Sequence, residues 1–553
     1  MKLQLRLILV FVSLLYVICP GTLSAQLSQG GVPVSFSVAM PVDTINMISL
    51  APPATDQLAL EDKDNPVPYR FAVNIAVDLG IDATGHWSTA PDGTGVWRIT
   101  IRAAGARALT LYFDHFRMPE GARLFAYNPG RTRMIGAFTE ANNNSAGTFA
   151  TELIHGEQLT LEYDAPAGTG APELHINEVA YAYRGIADYS GLKTGFGTAG
   201  KCEVNVHCAE GATWQNQVRS VVRVQVKRGT QNVWCTGSMI NNTLNNGKPY
   251  LITADHCGNQ STATDLTQWI FYFNYEGTAC ANPTVEPALK SLTGATMVAH
   301  GGNSGLTGSD FFLVLLQSLV PKSYNVYYNG WNRDVTTPSP SGVGIHHPSG
   351  DIKKISTYTA QLQPSNWNGG AFLSHWQVNW IGTADGHGTT EGGSSGSPLF
   401  DNMGRLVGTL TGGQSSCDSS ALNSPDYYGQ FAYDWDKNGT DSTKVLKYWL
   451  DPLNTNVMAM NGWALSVEEP AKQDWISLYP NPVSDILYMS TGGIPSGSLR
   501  VMITGVYGNQ VLNRELKRAA DVYQVDLSGL PVGLYVVQVS DGVRRIVRKI
   551  IKQ

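Results

Sequence analysis

Three short stretches of this chain hold the residue types of nucleophilic catalysis. LITADHCG carries His256 beside Cys257, after an apolar strand-like run; GSDFFLVLL places Asp310 at the head of another; EGGSSGSPLF sets Ser395 among glycines, ahead of Leu399 and Phe400. A serine hydroxyl is a poor nucleophile at neutral pH until an imidazole takes its proton. The imidazole in turn needs a buried carboxylate to set its tautomer and stabilise its cation. Each stretch alone has a bland reading: a structural histidine next to a disulfide, a turn aspartate, a flexible glycine loop. Together, with 54 residues from His256 to Asp310 and 85 from Asp310 to Ser395, they read as one catalytic triad. Glycines ahead of the nucleophile let the backbone turn so that the amides of Gly393 and Ser395 face one point. Such an oxyanion hole is worth roughly 3 kcal/mol of barrier per donor.

The order His, Asp, Ser is that of the chymotrypsin-type proteases and differs from the subtilisin and α/β-hydrolase orders. It calls for a scaffold of short antiparallel strands, and the composition agrees. Of 553 residues 42% are hydrophobic but only 15% charged, with 58 glycines and 28 prolines, which suits turn-rich β structure rather than long charged helices. The length predicts three or four domains. A net charge of −6 offers no basic field for a phosphate backbone, which argues against nucleic-acid binding. The adjacent His346 and His347 invite a metal reading, but they lack nearby cysteine or carboxylate partners, so no metal and no cofactor is expected.

The chain begins with Lys2 and Arg6, an apolar run from Leu7 to Ile18, and small residues up to Ala25. This is the layout of a secretory signal peptide over 1–25. No other stretch approaches a membrane span. Cleavage after Ala25 would remove Cys19 and leave six of the seven cysteines in an exported, oxidising environment, which predicts three disulfides among fifteen possible pairings. Residues 26–193 lack cysteine and alternate short runs such as Val96–Ile101 and Leu109–Phe113 with turn clusters, as in an antiparallel sandwich. Residues 194–465 hold all six cysteines and the three motifs. The polar stretch 466–474 reads as a linker, and 475–553 again reads as short strands. From Pro470 onward ten basic residues stand against six acidic ones, so the tail is +4 and the rest −10. The basic terminal run through Arg544, Arg545 and Lys549 reads as an edge strand with solvated charges.

From Gly197 to Pro452 the chain resembles the bacterial lysyl endopeptidases of the chymotrypsin-like superfamily. The resemblance rests on CEVNVHCAEG, CTGSMINN, LITADHCG, SDFFLVLL, GIHHPSGDIKKIS, GSSGSPLF, GGQSSC, DYYG and YWLDP. It implies an all-β fold: a chymotrypsin-like double β-barrel, preceded by a β-rich prosegment and followed by a small β-sandwich. It also implies disulfides Cys202–Cys417, Cys208–Cys280 and Cys235–Cys257, and a lysine-recognising carboxylate at Asp426. A pocket for a cationic side chain needs such an anion, because an unpaired ammonium is costly to desolvate. The family stacks a tryptophan and a histidine beside the site. Trp367 matches the first, but Thr411 stands at the second, so that pair cannot form as it does there. The nucleophile is preceded by Ser394 and not by aspartate, which removes a trypsin-type activation switch.

The segment before the catalytic block resembles the family's prosegments, with Lys193 as a self-consistent processing point. LYPNPVSDILYMS, VYGNQV and GLPVGLYVVQVSDG resemble the sorting domain of the type IX secretion system of Bacteroidetes, and imply that machinery as a partner. The expected activity is a secreted or surface-held serine endopeptidase that cleaves protein or peptide substrates after lysine. Two alternatives stand beside it: cleavage after arginine or both basic residues, and a non-catalytic adhesin with a protease-like domain.

Overall fold

The computed structural model describes residues 28–38, 45–65, 67–186, 198–464, 476–491, 498–505, 510–516, 522–540 and 545–553. The expected leader with Cys19 and Ala25, the processing point at Lys193, the 466–474 linker and Arg544 lie outside the described residues. The chain divides into two compact units, 1–466 and 467–553. As the composition predicts, strands dominate and the helices are short. Among the described residues no helix is long and apolar enough to cross a membrane.

The first part of the larger unit is a two-sheet sandwich. One sheet pairs Asn46–Leu50, Gly95–Ala103, Gln158–Ala165, Arg123–Tyr127 and Met134–Phe138; the other contains Tyr69–Gly80, Glu173–Ala182 and Ala108–Arg117. Ile99, Ile101, Leu109, Leu111, Phe113, Leu161 and Val179 fill the space between them. The alternating runs read from the sequence thus become strands with one face on a shared core.

The second part consists of two antiparallel halves. Val221–Arg228, Gln231–Met239, Tyr250–Thr253 and Phe311–Leu316 build the first. Gly342–His346, Pro398–Asp401, Leu406–Gly413 and Asp426–Gln430 build the second. Phe311–Leu316 is paired on both sides, with Tyr250–Thr253 and Ala295–Gly301, which accounts for its unbroken apolar run FFLVLL. Ile252, Phe311 and Leu313 from the first half pack with Val343, Ile345, Phe400 and Leu406 from the second in one core. This is the double-barrel layout expected of a chymotrypsin-like protein. The bonds Cys202–Cys417, Cys208–Cys280 and Cys235–Cys257 are all formed.

The two parts are not separate modules. Tyr69–Val73 pairs antiparallel with Gln231–Trp234, so the sandwich sheet runs on into the first half of the catalytic block. Phe71 stacks on Trp234 with ring centroids 4.1 Å apart, inside a core that draws Tyr112, Leu153 and Ala180 from one side and Ile270, Tyr272 and Ile352 from the other. Polar pairs match across the same seam: Lys227 with Glu178 at 2.8 Å, Ser291 with Glu152 at 2.6 Å, and Tyr112 with Asn232.

The smaller unit holds a three-stranded sheet (Ile476–Tyr479, Ile486–Thr491, Val522–Asp526) and a four-stranded one (Gln510–Leu516, Leu499–Gly505, Gly533–Ser540, Arg545–Lys552) around Leu487, Met489, Val501, Val537 and Val539. Arg545–Lys552 lies at the edge of its sheet, where basic side chains discourage further pairing.

Because Phe71 is wholly buried against Trp234, Phe71→Ala should lower the unfolding free energy of the larger unit by about 3–5 kcal/mol. Denaturant unfolding of the full chain checks this. A loss under about 1 kcal/mol would mean that the seam contributes little.

Candidate active site

His256 lies on the one-turn helix Asp255–Gly258, which follows the strand Tyr250–Thr253; Asp310 directly precedes the strand Phe311–Leu316. These strands are antiparallel neighbours with Thr253 opposite Phe312, so the end of one and the start of the other meet. The Asp310 carboxylate accepts the His256 backbone N–H at 3.0 Å and lies 2.6 Å from Nδ1. Asp310 is fully buried. Burial pushes its carboxyl upward, but the His256 charge and hydrogen bonds outweigh this and hold it below the usual carboxylate value. The second half of the block grips the same residue: Thr409 Oγ1 donates to the Asp310 carbonyl at 3.1 Å. Next door, Ser309 donates to the buried Asp434, whose carboxyl burial drives well above its ordinary range, and Asn438 Nδ2 donates to Ser309 Oγ at 3.0 Å. Nothing in the sequence singled out Asp434, because its role depends on distant packing.

Ser395 follows a turn whose peptide planes are anchored one by one. Ser349 N–H donates to the Gly392 carbonyl at 2.6 Å, Thr236 Oγ1 to the Gly393 carbonyl at 2.9 Å, and Ser397 N–H to the Ser394 carbonyl at 2.9 Å. With these carbonyls engaged, the amides of Gly393 and Ser395 have no partner among the described residues. Gly393 has φ +96°, and a Cβ there would lie 2.9 Å from both Gly350 N and His347 O, so only glycine fits. The Ser395 carbonyl accepts from Thr236 N at 2.8 Å and lies 3.8 Å from Cys257 Sγ, which seats the serine backbone against the disulfide adjoining His256. His256 Nε2 is buried and makes no hydrogen bond among the described residues.

His346 and His347 brace this turn. His346 is fully buried; its Nδ1 lies 2.8 Å from Ser394 Oγ and its Nε2 3.0 Å from Ser356 Oγ. Burial, with Lys354 nearby, lowers its pKa to about 3, so a neutral ring supports Ser394, the residue before Ser395.

Asp426 opens the strand Asp426–Gln430, opposite Gly413 and Val378. A Cβ on Gly413 would fall 1.8 Å from Asp426 Oδ1, so glycine is required where the carboxylate crosses its neighbour. The carboxylate is fully buried and accepts from Trp380 Nε1 at 2.7 Å, Thr390 Oγ1 at 2.8 Å, Ser415 Oγ at 2.6 Å and Ser415 N–H at 3.2 Å. Burial raises its pKa, and these donors only partly offset the rise. Every one of those partners is neutral, so the carboxylate sits in the protein without a cation of its own among them.

Trp367 and Thr411 come together as the sequence reading grouped them, and a histidine that it missed joins them. A Cβ on Gly305 would lie 2.8 Å from Trp367 Cδ1, 3.1 Å from Thr411 Cγ2 and 3.3 Å from His375 Nε2, so three side chains close around one point. His375 Nε2 is 3.0 Å from Thr411 Oγ1, and its Nδ1 is 2.7 Å from Ser374 Oγ. Burial pushes its pKa down to about 4, against a smaller upward pull from Asp310. Thr411 therefore does not leave the place beside Trp367 without an imidazole: the strand His375–Val378 supplies one.

Residues 196–429 match the lysyl endopeptidase C-terminal domain, and residues 56–182 the lysyl endopeptidase N-terminal domain. Both matches are to domains of the lysyl endopeptidases. The chain is a serine endopeptidase, and residues 477–553 match the secretion system C-terminal sorting domain, so it is secreted or held at the cell surface. A lysyl endopeptidase of Pseudomonas aeruginosa is 28% identical over 364 residues, covering 63% of this chain and 75% of that protein. Among solved structures, a Glu endopeptidase in complex with MPD is 16% identical, with a TM-score of 0.27, over 42% of this chain and 94% of its own. Protease Anisep from Arthrobacter nicotinovorans is 17% identical, with a TM-score of 0.28, over 39% and 91%.

His375 gives a direct check on the site's electrostatics. Its ring signals, assigned by their loss in His375→Gln, should remain those of neutral imidazole down to about pH 4. Between its ordinary 6.5 and about 4, the unfolded chain binds a proton that the folded chain refuses. Stability therefore falls as pH drops through that window. Titration near 6.5 by NMR would contradict the buried placement.

Proposed function

We propose that the chain hydrolyses peptide bonds after lysine through His256, Asp310 and Ser395. In this reading Ser395 Oγ attacks the scissile carbonyl while His256 Nε2 takes its proton, and the proton then passes to the leaving amine. Water repeats the cycle on the acyl-enzyme. Asp310 keeps the proton on Nδ1 and stabilises the imidazolium, a role supported by its two contacts with His256. The free amides of Gly393 and Ser395 receive the oxyanion. Lysine preference rests on one observation above all: a buried Asp426 carboxylate whose hydrogen-bond partners are all neutral. The negative charge is available to a substrate ammonium, which would gain a partner as it leaves water. Trp367, Thr411 and His375 line the neighbouring wall. By the same reading the leader is cut after Ala25, residues 26–193 are a prosegment released at Lys193, and 475–553 serve the type IX machinery.

A digest of denatured protein with the processed enzyme and its Ser395→Ala variant, with the new termini mapped, tests this. Cuts after lysine that vanish with Ser395→Ala are expected. Cuts spread over arginine would replace lysine specificity with a general basic one, and equal absence of cutting would leave only a binding role. Asp426→Asn should lower kcat/KM for lysyl substrates by roughly a hundredfold or more, the scale of a buried charge pair worth about 3 kcal/mol. A substrate with a neutral side chain at the cleaved bond should be spared.

The pH dependence follows. An alkylammonium inhibitor binds the ionised carboxylate, and the Asp426 carboxyl stands above its ordinary 3.8. Its Kd should therefore rise as pH falls through that elevated value. Asp426→Asn should bind weakly with a flat profile; an unchanged slope in that variant would remove Asp426 from the pocket.

A further inference from the structure

Far from His256, Asp310 and Ser395 in sequence, the N-terminal sandwich carries a second constellation that the protease chemistry does not use. His115, on the strand Ala108–Arg117, and His175, on Glu173–Ala182, are register partners across an antiparallel pair. The register shifts between His175 and Ile176, which leaves Asp114 as an extra residue, so that Asp114 and His115 both oppose His175. His175 Nδ1 lies 2.5 Å from Asp114 Oδ1, and His115 Nδ1 is 3.1 Å from the same oxygen. The two rings stand 5.8 Å apart, and one ligand atom from each of the three residues falls within 4.8 Å of the others. On the far side of His175, Nε2 is 2.7 Å from Asp78 Oδ1, contributed by the next strand, Tyr69–Gly80.

We propose that Asp114, His115 and His175 bind a divalent transition-metal ion of the zinc class, with Asp78 orienting His175 from behind. Two imidazole nitrogens and one carboxylate oxygen suit zinc and its neighbours rather than calcium or magnesium, which prefer all-oxygen shells. Ligand atoms around a tetrahedral ion at about 2.0–2.1 Å lie roughly 3.3 Å apart. The His115–Asp114 separation already meets this, and the His175–Asp114 contact needs to open by less than about 1 Å. Binding through Nδ1 leaves the His175 Nε2–H to be donated to Asp78, the carboxylate–histidine–metal arrangement that fixes a ligand's tautomer and ring orientation. The fourth position faces solvent and takes water. The three strands that contribute these residues belong to the sheet that continues onto Gln231–Trp234, so the ion would brace the face that docks on the protease half.

The test uses the full chain carrying Ser395→Ala, so that it stays uncut, stripped with chelator and titrated near pH 8, where protons compete least for the imidazoles. Zinc titrated calorimetrically should bind with one tight equivalent per chain. Cobalt(II) should give the visible bands of a four-coordinate site, and zinc should raise the thermal midpoint. His175→Ala and His115→Ala should each abolish that equivalent. His115 is 67% exposed, so its loss removes a ligand without disturbing the core, and this keeps the test valid should His175→Ala fail to fold. Asp78→Asn should keep the stoichiometry and weaken binding about 10- to 100-fold. The proposal falls if zinc binds no better to the parent than to His115→Ala. It also falls if the thermal midpoint follows pH alone and ignores zinc, since the four residues would then form an ion cluster only.

Discussion

The pairing of His256 with Asp310 is the constraint to which the rest of the catalytic block answers. A carboxylate with no solvent around it is held ionised only by what touches it, and here one residue supplies both a ring nitrogen and a backbone N–H. Those contacts exist because two antiparallel strands bring residues 54 positions apart side by side. The second half of the block closes over the pair, with Thr409 on the Asp310 carbonyl and the Ser309–Asp434–Asn438 cluster beside it. A shift between the two halves would strip the Asp310 backbone and the neighbouring Ser309 of these supports.

The turn before Ser395 has the same character on a smaller scale. Its geometry comes from Gly393 and from the groups that hold its carbonyls: Ser349, Thr236 and Ser397. His346 then ties Ser394 to Ser356, and Ser356 Oγ donates to the Thr389 carbonyl at 2.9 Å, so the turn rests on a buried polar chain reaching into the second half. A neutral histidine suits that position, since a charged one would be costly to bury. His346 and His347, which look in the sequence like half of a metal site, are framework.

Docking of the N-terminal sandwich changes how the chain divides. Read along the sequence, cysteine-free and cysteine-bearing segments look like independent modules. In space Tyr69–Val73 and Gln231–Trp234 share a ladder, and Phe71 and Trp234 share a core. A strand edge and an aromatic face of the catalytic block are thereby covered, and an exposed edge of that kind is an invitation to aggregate. The sandwich has a structural part in the uncut chain beyond that of a removable leader.

The sequence by itself determined the local elements and nominated the residues for the chemistry. By type and order His256, Asp310 and Ser395 read as base, orienting carboxylate and nucleophile, alternating apolar runs read as strands, and the six cysteines set the number of bonds. These are properties of residue identity and short-range periodicity, which a linear reading captures. Tertiary structure alone decided what depends on residues far apart in the chain. It placed His375 beside Thr411 and Trp367, where sequence comparison by position left a gap. It made Asp434 and His346 supports, surrounded Asp426 with four neutral donors, and joined two apparent modules through one sheet. It also set His115 against His175 by a one-residue bulge. Such pairings arise from strand register and packing, and register is decided by the whole sheet rather than by any segment within it.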